Sequence, residues 1–194
     1  MVLRQLEKVQ VAALNLQGFK SRHVPTSKGE IHCLDAKGSG DLPPAVVLHG
    51  LSASGADYAP VLKRLRRHHS RVIAPDLPGH GFSADPGPLL DEQGLRQAMV
   101  EALDALLPGK AVVVGNSLGG LAATRFAGAR PAKVLGLVLV SPGGAPMRAD
   151  ELQTFMNTFR LDTHREALRF MDNVLARPGF ARHALALGVR HRFR

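Results

Sequence analysis

A single serine stands among glycines in the segment Gly115–Gly120, which reads GNSLGG. The segment follows the apolar run AVVV at 111–114 and precedes a stretch of small residues typical of a helix. Glycine and serine are common turn formers, so an ordinary turn would account for this composition. A serine on a sharp turn from strand to helix can instead act as a nucleophile, because the turn exposes its hydroxyl. Ser117 is therefore the candidate nucleophile.

Two further turns carry residues that could do chemistry directly after apolar runs. His49 and Gly50 follow the run AVVL at 45–48, and the segment DLPGHGFS at 76–83 follows the run RVIA at 71–74. Ligands of open α/β sheets bind beyond the carboxyl ends of the strands. We therefore expect these turns and the serine turn to share one edge of one sheet.

The elements that would position these turns alternate along the chain. The first two strands could form a hairpin, and helical periodicity predicts helices at about 57–67, 91–107 and 117–128. Parallel strands need crossover connections and are covered on both faces. The pattern predicts an α/β domain whose mostly parallel sheet has helices on both faces. Its strands are expected at about 19–25, 30–36, 45–48, 71–74, 111–114 and 134–140.

In three motifs the chain resembles the α/β-hydrolase family. VVLHG at 46–50, DLPGHGFS at 76–83 and GNSLGG at 115–120 occur in that order, and the resemblance covers about residues 19–144. It implies a serine esterase, lipase or carbon–carbon bond hydrolase that acts on a small acyl substrate without a cofactor. In an intact member, Ser117 would attack a carbonyl carbon while the amides of Leu118 and Leu51 hold the oxyanion.

The other motif residues have structural roles in this interpretation. Small residues beside Ser117 leave room for a strand packed closely against a helix. The two histidines lie inside turns, so we expect them to bond to local backbone rather than act as bases, and the aspartate is expected to stabilise its turn. The structural motif residues are His49, Gly50, Asp76, Gly79, His80, Gly81, Gly115 and Gly119.

The sequence predicts no metal site. Cys33 is the only cysteine, which excludes a multi-cysteine site and an internal disulfide. His68 and His69 are adjacent and would point in different directions on a helix.

No strand-like run follows Val140, and the periodicity from there onward is helical. The family's triad acid and histidine follow two further strands, so the resemblance implies a chain truncated at its carboxyl terminus with impaired catalysis. The expected organisation is a helical extension at 1–18, an incomplete hydrolase core at 19–144 and a partial helical cap at 145–194. The alternative is a non-catalytic binding or interaction module of the same fold.

Acids and histidines of the expected cap occur in the order that a triad requires. A general base must be held by a rigid support, and these residues lie on predicted helices with no strand beneath them. We therefore expect solvated charges rather than an improvised triad at Asp150, Asp162, Asp172, His183 and His191.

Charge and composition restrict the partners. The formal net charge is +9, with basic clusters at Lys63–Arg67 and Arg190–Arg194 that we interpret as solvated helix faces. One tyrosine and no tryptophan offer little surface for stacking bases, so we expect no nucleic-acid partner. No window reaches the roughly 20 apolar residues of a membrane span, and the first ten residues lack a signal-peptide core. We therefore expect a cytoplasmic protein without an integral membrane segment.

Two surfaces could mediate contacts. The first helix would align Val2, Leu6, Val9, Ala13 and Leu16 on one face, which could dock on a core or lie on a membrane. We expect docking, because the opposite face mixes Glu7 with Lys8 and is not uniformly basic. If two further strands are lost, the run 134–140 becomes an apolar sheet edge at which copies of the chain could associate.

Overall fold

The computed structural model describes residues 2–87, 91–174, 179 and 182–192, and the chain forms two compact units, residues 1–144 and 145–194. In the first unit the helices are α1 (Val2–Leu16), α2 (Ala59–Leu65), α3 (Glu92–Leu106) and α4 (Leu118–Ala129). Its strands are β1 (Lys20–Val24), β2 (Ile31–Lys37), β3 (Ala45–Leu48), β4 (Arg71–Pro75), β5 (Ala111–Asn116) and β6 (Val134–Val140). The second unit contains α5 (Ala149–Asn157), α6 (His164–Val174) and α7 (Arg182–Arg192).

The six strands form one mixed sheet in the order β1-β2-β4-β3-β5-β6. Strands β3, β4, β5 and β6 are parallel, whereas the hairpin of β1 and β2 joins antiparallel to β4. Parallel neighbours require crossovers, which α2, α3 and α4 provide. The predicted fold class, a mostly parallel sheet with helices, is confirmed, and β3 and β6 have the predicted bounds.

Helices cover both faces of the sheet in the first unit. Helices α3 and α4 contribute Leu103 and Phe126 to one buried cluster. Helices α1 and α2 contribute Leu14 and Leu62 to the other. Because both faces of β3 are covered, all four of its residues are buried, as its uninterrupted apolar sequence indicated.

The predicted helix at 57–67 is shorter and begins differently in the structure. A 3₁₀ turn occupies Gly55–Tyr58, and α2 then runs from Ala59 to Leu65. Pro60 lies in the first turn of α2, where its missing amide hydrogen leaves no helical bond unmade.

The prediction of which face of α1 is buried was wrong. The helix buries Val11 and Leu14, whereas Val9 is 65% exposed and Leu16 is 91% exposed. Ala13 is also exposed, and the side chains of Val2 and Leu6 lie outside the described residues. The turn after α1 decides the outcome, because the Phe19 amide donates to the Leu14 carbonyl at 3.0 Å and the Phe19 side chain enters the core. This turn directs the Leu14 side of α1 toward the sheet.

The second unit is a small helical unit with its own core. Helices α6 and α7 pack together, and the buried residues are Leu161, Ala167, Met171 and Ala186. Across the part of the chain that is described, no helix combines the length and apolar character that crossing a membrane requires.

Candidate active site

Ser117 occupies a strained turn between the end of β5 and the start of α4. Its φ is 50° and its ψ is −118°, a conformation that L-residues rarely adopt. Four backbone hydrogen bonds hold it: its amide donates to the Val140 carbonyl at 3.1 Å, and its carbonyl accepts from Gly143 at 2.8 Å, Gly120 at 2.9 Å and Leu121 at 3.2 Å. The side chain makes no capping bond to α4. Strain that the surroundings enforce in this way is typical of functional sites.

Glycines around Ser117 allow the strand, the helix and the loops to approach closely. A Cβ on Gly115 would overlap the Gly119 carbonyl oxygen, and a Cβ on Gly119 would overlap the carbonyl oxygens of Leu48 and His49. The first turn of α4 therefore packs directly on the ends of β3 and β5.

Gly50 brings the turn after β3 against the serine. A Cβ on Gly50 would lie 3.2 Å from the Ser117 Cβ and 3.0 Å from the Asn116 Oδ1 atom. Leu51, the next residue, is exposed. Among the described residues of the first unit, no acceptor binds the amide of Leu51 or of Leu118. These two amides are the candidate oxyanion donors, and the dipole of α4 favours negative charge at its first turn.

His49 is fully buried, and both of its ring nitrogens are in hydrogen bonds. Nδ1 lies 2.8 Å from the Gly50 carbonyl oxygen, and Nε2 accepts from the Leu77 amide at 2.8 Å. Burial lowers the pKa of His49 to about 4, so the ring is neutral near pH 7. His80 is half-buried, with Nδ1 2.9 Å from the Pro78 carbonyl oxygen. Both histidines therefore hydrogen-bond to the backbone of the strand-end turns.

Asp76 is buried at the end of β4 and connects three segments. Its Oδ1 accepts from the Gly55 amide at 2.7 Å, and its Oδ2 lies 3.0 Å from the Phe82 nitrogen and 2.7 Å from His32 Nδ1. Burial alone would raise the pKa of Asp76, but these hydrogen bonds hold it below its ordinary value. A Cβ on Gly81, where φ is 53°, would overlap this carboxylate. Gly79, with φ of 72°, lies in the same turn.

Sequence reasoning missed three polar residues that support these turns. His32 is buried in β2 and pairs with Asp76. The Tyr58 hydroxyl donates to Asn116 Oδ1 at 2.7 Å, and Asn116 Nδ2 donates to the Val140 carbonyl at 3.0 Å. A polar residue within an apolar strand was the available signal for His32, because buried polar groups require partners.

The described residues of the first unit place no histidine in hydrogen-bond contact with the Ser117 hydroxyl. In the second unit, Asp172 pairs with Arg182 at 2.8 Å and Asp150 pairs with Arg148 at 3.2 Å. The carbonyl of Asp162 accepts from Arg190.

His183 stacks near His164, with ring centroids 6.1 Å apart, and the side chain of His191 lies outside the described residues. Among the described residues, no three or more His, Cys, Asp or Glu side chains form a group that could hold a metal ion.

Comparisons with known proteins match this arrangement to one fold family. A family model described as the alpha/beta hydrolase fold matches residues 43–187. A pimeloyl-[acyl-carrier protein] methyl ester esterase from Nitrosospira multiformis is 33% identical over 132 residues, which are 67% of this chain and 50% of that protein. The esterase of the same name from Xanthomonas campestris pv. campestris is 35% identical over 148 residues, 74% of this chain and 55% of that protein.

The chain spans about half the length of these curated relatives. Among solved structures, a serine hydrolase from Cycloclasticus zankles superposes with a TM-score of 0.76 at 21% identity, covering 91% of this chain and 65% of that one. The likeness to this solved structure is one of fold.

Proposed function

Since the chain belongs to the α/β-hydrolase fold family, we propose that Ser117 is the nucleophile of a serine esterase. The observation that supports this role is the enforced positive φ of Ser117 at the junction of β5 and α4, with the hydroxyl left out of the helix cap. A serine that only capped α4 would direct its hydroxyl toward the amides of the first turn. In this proposal residues 19–144 form the catalytic core, residues 1–18 an extension and residues 145–194 part of the family's cap segment.

The proposed reaction uses the two candidate oxyanion donors beside Ser117. Its Oγ forms a bond to the ester carbonyl carbon while a base removes the hydroxyl proton. The carbonyl oxygen becomes an oxyanion that accepts from the amides of Leu118 and Leu51, and each such donor is typically worth about 3–4 kcal/mol. Collapse of the intermediate expels the alcohol, which takes the proton, and water then hydrolyses the acyl-enzyme.

The base is the part of this reaction that the described residues of the first unit do not supply. His49 and His32 are buried and their ring nitrogens are in hydrogen bonds, and His80 bonds to the Pro78 carbonyl. In serine hydrolases that lose one triad member, about 10³–10⁴-fold catalysis over water remains. We therefore propose that this chain turns over esters slowly while Ser117 keeps its binding geometry.

The substrate class in this proposal is an ester of an acyl chain with a small alcohol. The names of the two esterase relatives specify a methyl ester of an acyl group carried by a protein.

The proposal is tested by comparing the chain with Ser117→Ala and with the matched control Ser141→Ala. Ser141 also has a positive φ, of 42°, and directly follows β6. The reagents are a fluorophosphonate probe, with the labelled residue identified by mass spectrometry, and p-nitrophenyl butyrate. We expect slow labelling at Ser117 that Ser117→Ala abolishes and Ser141→Ala retains.

Two results would change the proposal. If the folded parent and folded Ser117→Ala variant show equal labelling and equal ester hydrolysis, the esterase proposal fails and the non-catalytic binding module is favoured. If Ser117-dependent hydrolysis is rapid, a histidine does reach Ser117, and the proposed slow turnover is wrong.

A further inference from the structure

A basic cleft of about 450 Å³ lies on the first unit where α1, β2 and α2 end. Its cationic lining residues are Lys37, Lys63, Arg66 and Arg67, and none of the described residues that line it is acidic. In the part of the chain that the structure describes, no carboxylate pairs with Lys37, Lys63 or Arg67. These cations are therefore available to an external anion.

The cleft is far along the sheet from the serine. Lys37 is the last residue of β2 and pairs with Arg71, the first residue of β4. The parallel strands begin at this edge, whereas Ser117 follows the end of β5 at the opposite edge. A ligand in the cleft would therefore not block the proposed ester site.

A second cleft, of about 600 Å³, shares Lys37 and extends the basic surface toward β1. It is lined by Lys20, Arg22 and Arg71, but Asp35 binds both arginines, at 2.6 Å and 2.8 Å. Lys20 therefore adds one unpaired cation to this surface, and the two arginines share the single negative charge of Asp35, so the group of three remains net positive.

Arg66 fixes the shape of the first cleft. Its Nε donates to the Lys37 carbonyl at 2.8 Å, its Nη1 donates to the Gln17 carbonyl, and its guanidinium lies 5.5 Å above the Phe19 ring. The end of α1 is thereby tied to the end of β2. Gln17 lines the cleft, so α1 ends at the basic surface.

The exposed face of α1 carries an apolar stripe that leads to this surface. Val9, Ala13 and Leu16 are spaced four and three residues apart and are all exposed. Leu16, at 91% exposure, directly precedes the cleft residue Gln17. An apolar helical face bordered by Lys and Arg is typical of proteins that lie at a lipid interface.

We propose that the α1 stripe and the basic cleft form one docking surface for an anionic phospholipid membrane. The leucine and valine side chains would enter the headgroup boundary, and Lys20, Lys37, Lys63 and Arg67 would bind lipid phosphates. The α1 stripe does not fulfil this role alone, because the polar face of α1 is not uniformly basic. The necessary charge comes from β1, β2, α2 and the turn that follows α2.

Other anionic partners fit the cleft less well. The amides of Gly38 and Ser39 already donate to the carbonyls of Ser70 and Arg66, so they form no backbone nest for a single phosphate. Phe19, the aromatic residue in the lining, is buried and cannot stack on bases. A second copy of the chain would bring like charges together at this surface.

The test is flotation of the full chain with vesicles of phosphatidylcholine alone or with about 30% phosphatidylglycerol, whose headgroup supplies the negative surface charge that the proposal requires. We expect binding only to the anionic vesicles, weakened by added salt. A basic residue near such a surface is worth about 1 kcal/mol, so Lys63→Gln with Arg67→Gln should reduce partitioning about thirtyfold. Leu16→Ser should reduce it about tenfold.

Matched controls change the same residue types elsewhere. Arg96→Gln with Lys110→Gln removes two exposed charges outside the cleft, and Leu187→Ser replaces an exposed leucine of α7. Both should bind like the parent. Ser117→Ala should also bind like the parent, so membrane binding and the esterase proposal fail independently.

The proposal is overturned if the chain binds both vesicle types equally, or if the cleft variants and their controls bind alike. Pyrophosphate and a single-stranded oligonucleotide are tested in parallel. Cleft-dependent binding of either one without vesicle binding would assign the surface to a free phosphate ligand or to a nucleic acid and would also overturn the proposal.

Discussion

At the scale of single residues, His49 illustrates how a buried titratable group can hold two turns together. The neutral ring hydrogen-bonds to the Gly50 carbonyl through Nδ1 and accepts from the Leu77 amide through Nε2. Protonation of Nε2 would remove an acceptor and place a charge on a fully buried ring. The burial that lowers the pKa of His49 is thus linked to the stability of the fold.

This linkage predicts a pH dependence. The pKa of His49 is 6.5 when unperturbed and about 4 in the folded chain. Between these values the unfolded chain binds a proton that the folded chain does not. The free energy of unfolding should therefore fall as pH falls from about 6.5 to about 4, by about 3 kcal/mol from this residue, and then level off. Urea unfolding at several pH values in this window measures it.

His49→Gln provides the comparison, because glutamine keeps a donor and an acceptor but does not titrate. The variant should be less stable at pH 7 and should show a smaller slope with pH. Equal slopes in both proteins would mean that His49 does not carry the effect. Asp76 affects the pH dependence of the free energy of unfolding at lower pH. Its pKa lies below its ordinary value of 3.8, so the stabilisation from its hydrogen bonds is lost only as the carboxylate is protonated.

At the scale of elements, α4 contains two glycines in opposite environments. Gly119 packs in the first turn against the end of β3, where a Cβ would overlap backbone oxygens. Gly128 lies in the last turn of the same helix, and a Cβ there would meet nothing within 4 Å. The helix therefore has an internal control for the cost of the close approach that positions Ser117.

Gly119→Ala should lower the free energy of unfolding by at least about 1–3 kcal/mol, because backbone atoms must move to admit the methyl group. Gly128→Ala should raise it by about 0.5–1 kcal/mol, since alanine favours an exposed helix. Chemical denaturation of both variants gives the two changes. If Gly119→Ala were as stable as Gly128→Ala, the packing of α4 against β3 described above would be wrong.

At the scale of the whole molecule, β6 is the last strand in the sheet order and pairs only with β5 among the described strands. Its sequence is VLGLVLV, and Leu135, Leu137 and Leu139 are all exposed. An uncharged apolar edge strand offers unpaired backbone groups to other chains. We therefore propose that this chain associates with copies of itself through β6.

Analytical ultracentrifugation at tens of micromolar should detect this association. Leu135→Lys with Leu137→Lys should increase the monomer fraction, because charged side chains on an edge strand oppose pairing. The control Leu152→Lys adds a charge to an exposed position of α5 and should leave association unchanged. A monomeric parent chain would contradict the prediction.

The sequence alone was sufficient for the local features of this protein. Apolar runs bounded by turn residues predicted the bounds of β3 and β6, and the order of the three motifs indicated the fold family. Glycine positions beside Ser117 also predicted a tight turn. These signals are local, since backbone preference and hydrophobic pattern act over only a few neighbouring residues.

Only the tertiary structure determined which partners distant residues have. Periodicity identified an apolar stripe on α1, but the direction of that stripe depends on the Leu14–Phe19 turn and on the sheet beneath it. His32 meets Asp76 because β2 lies beside β4, 44 residues further along the chain. The basic cleft likewise combines Lys37 of β2 with Lys63 of α2. Such groupings arise from the packing of elements distant in sequence, and the pattern of each element on its own does not encode them.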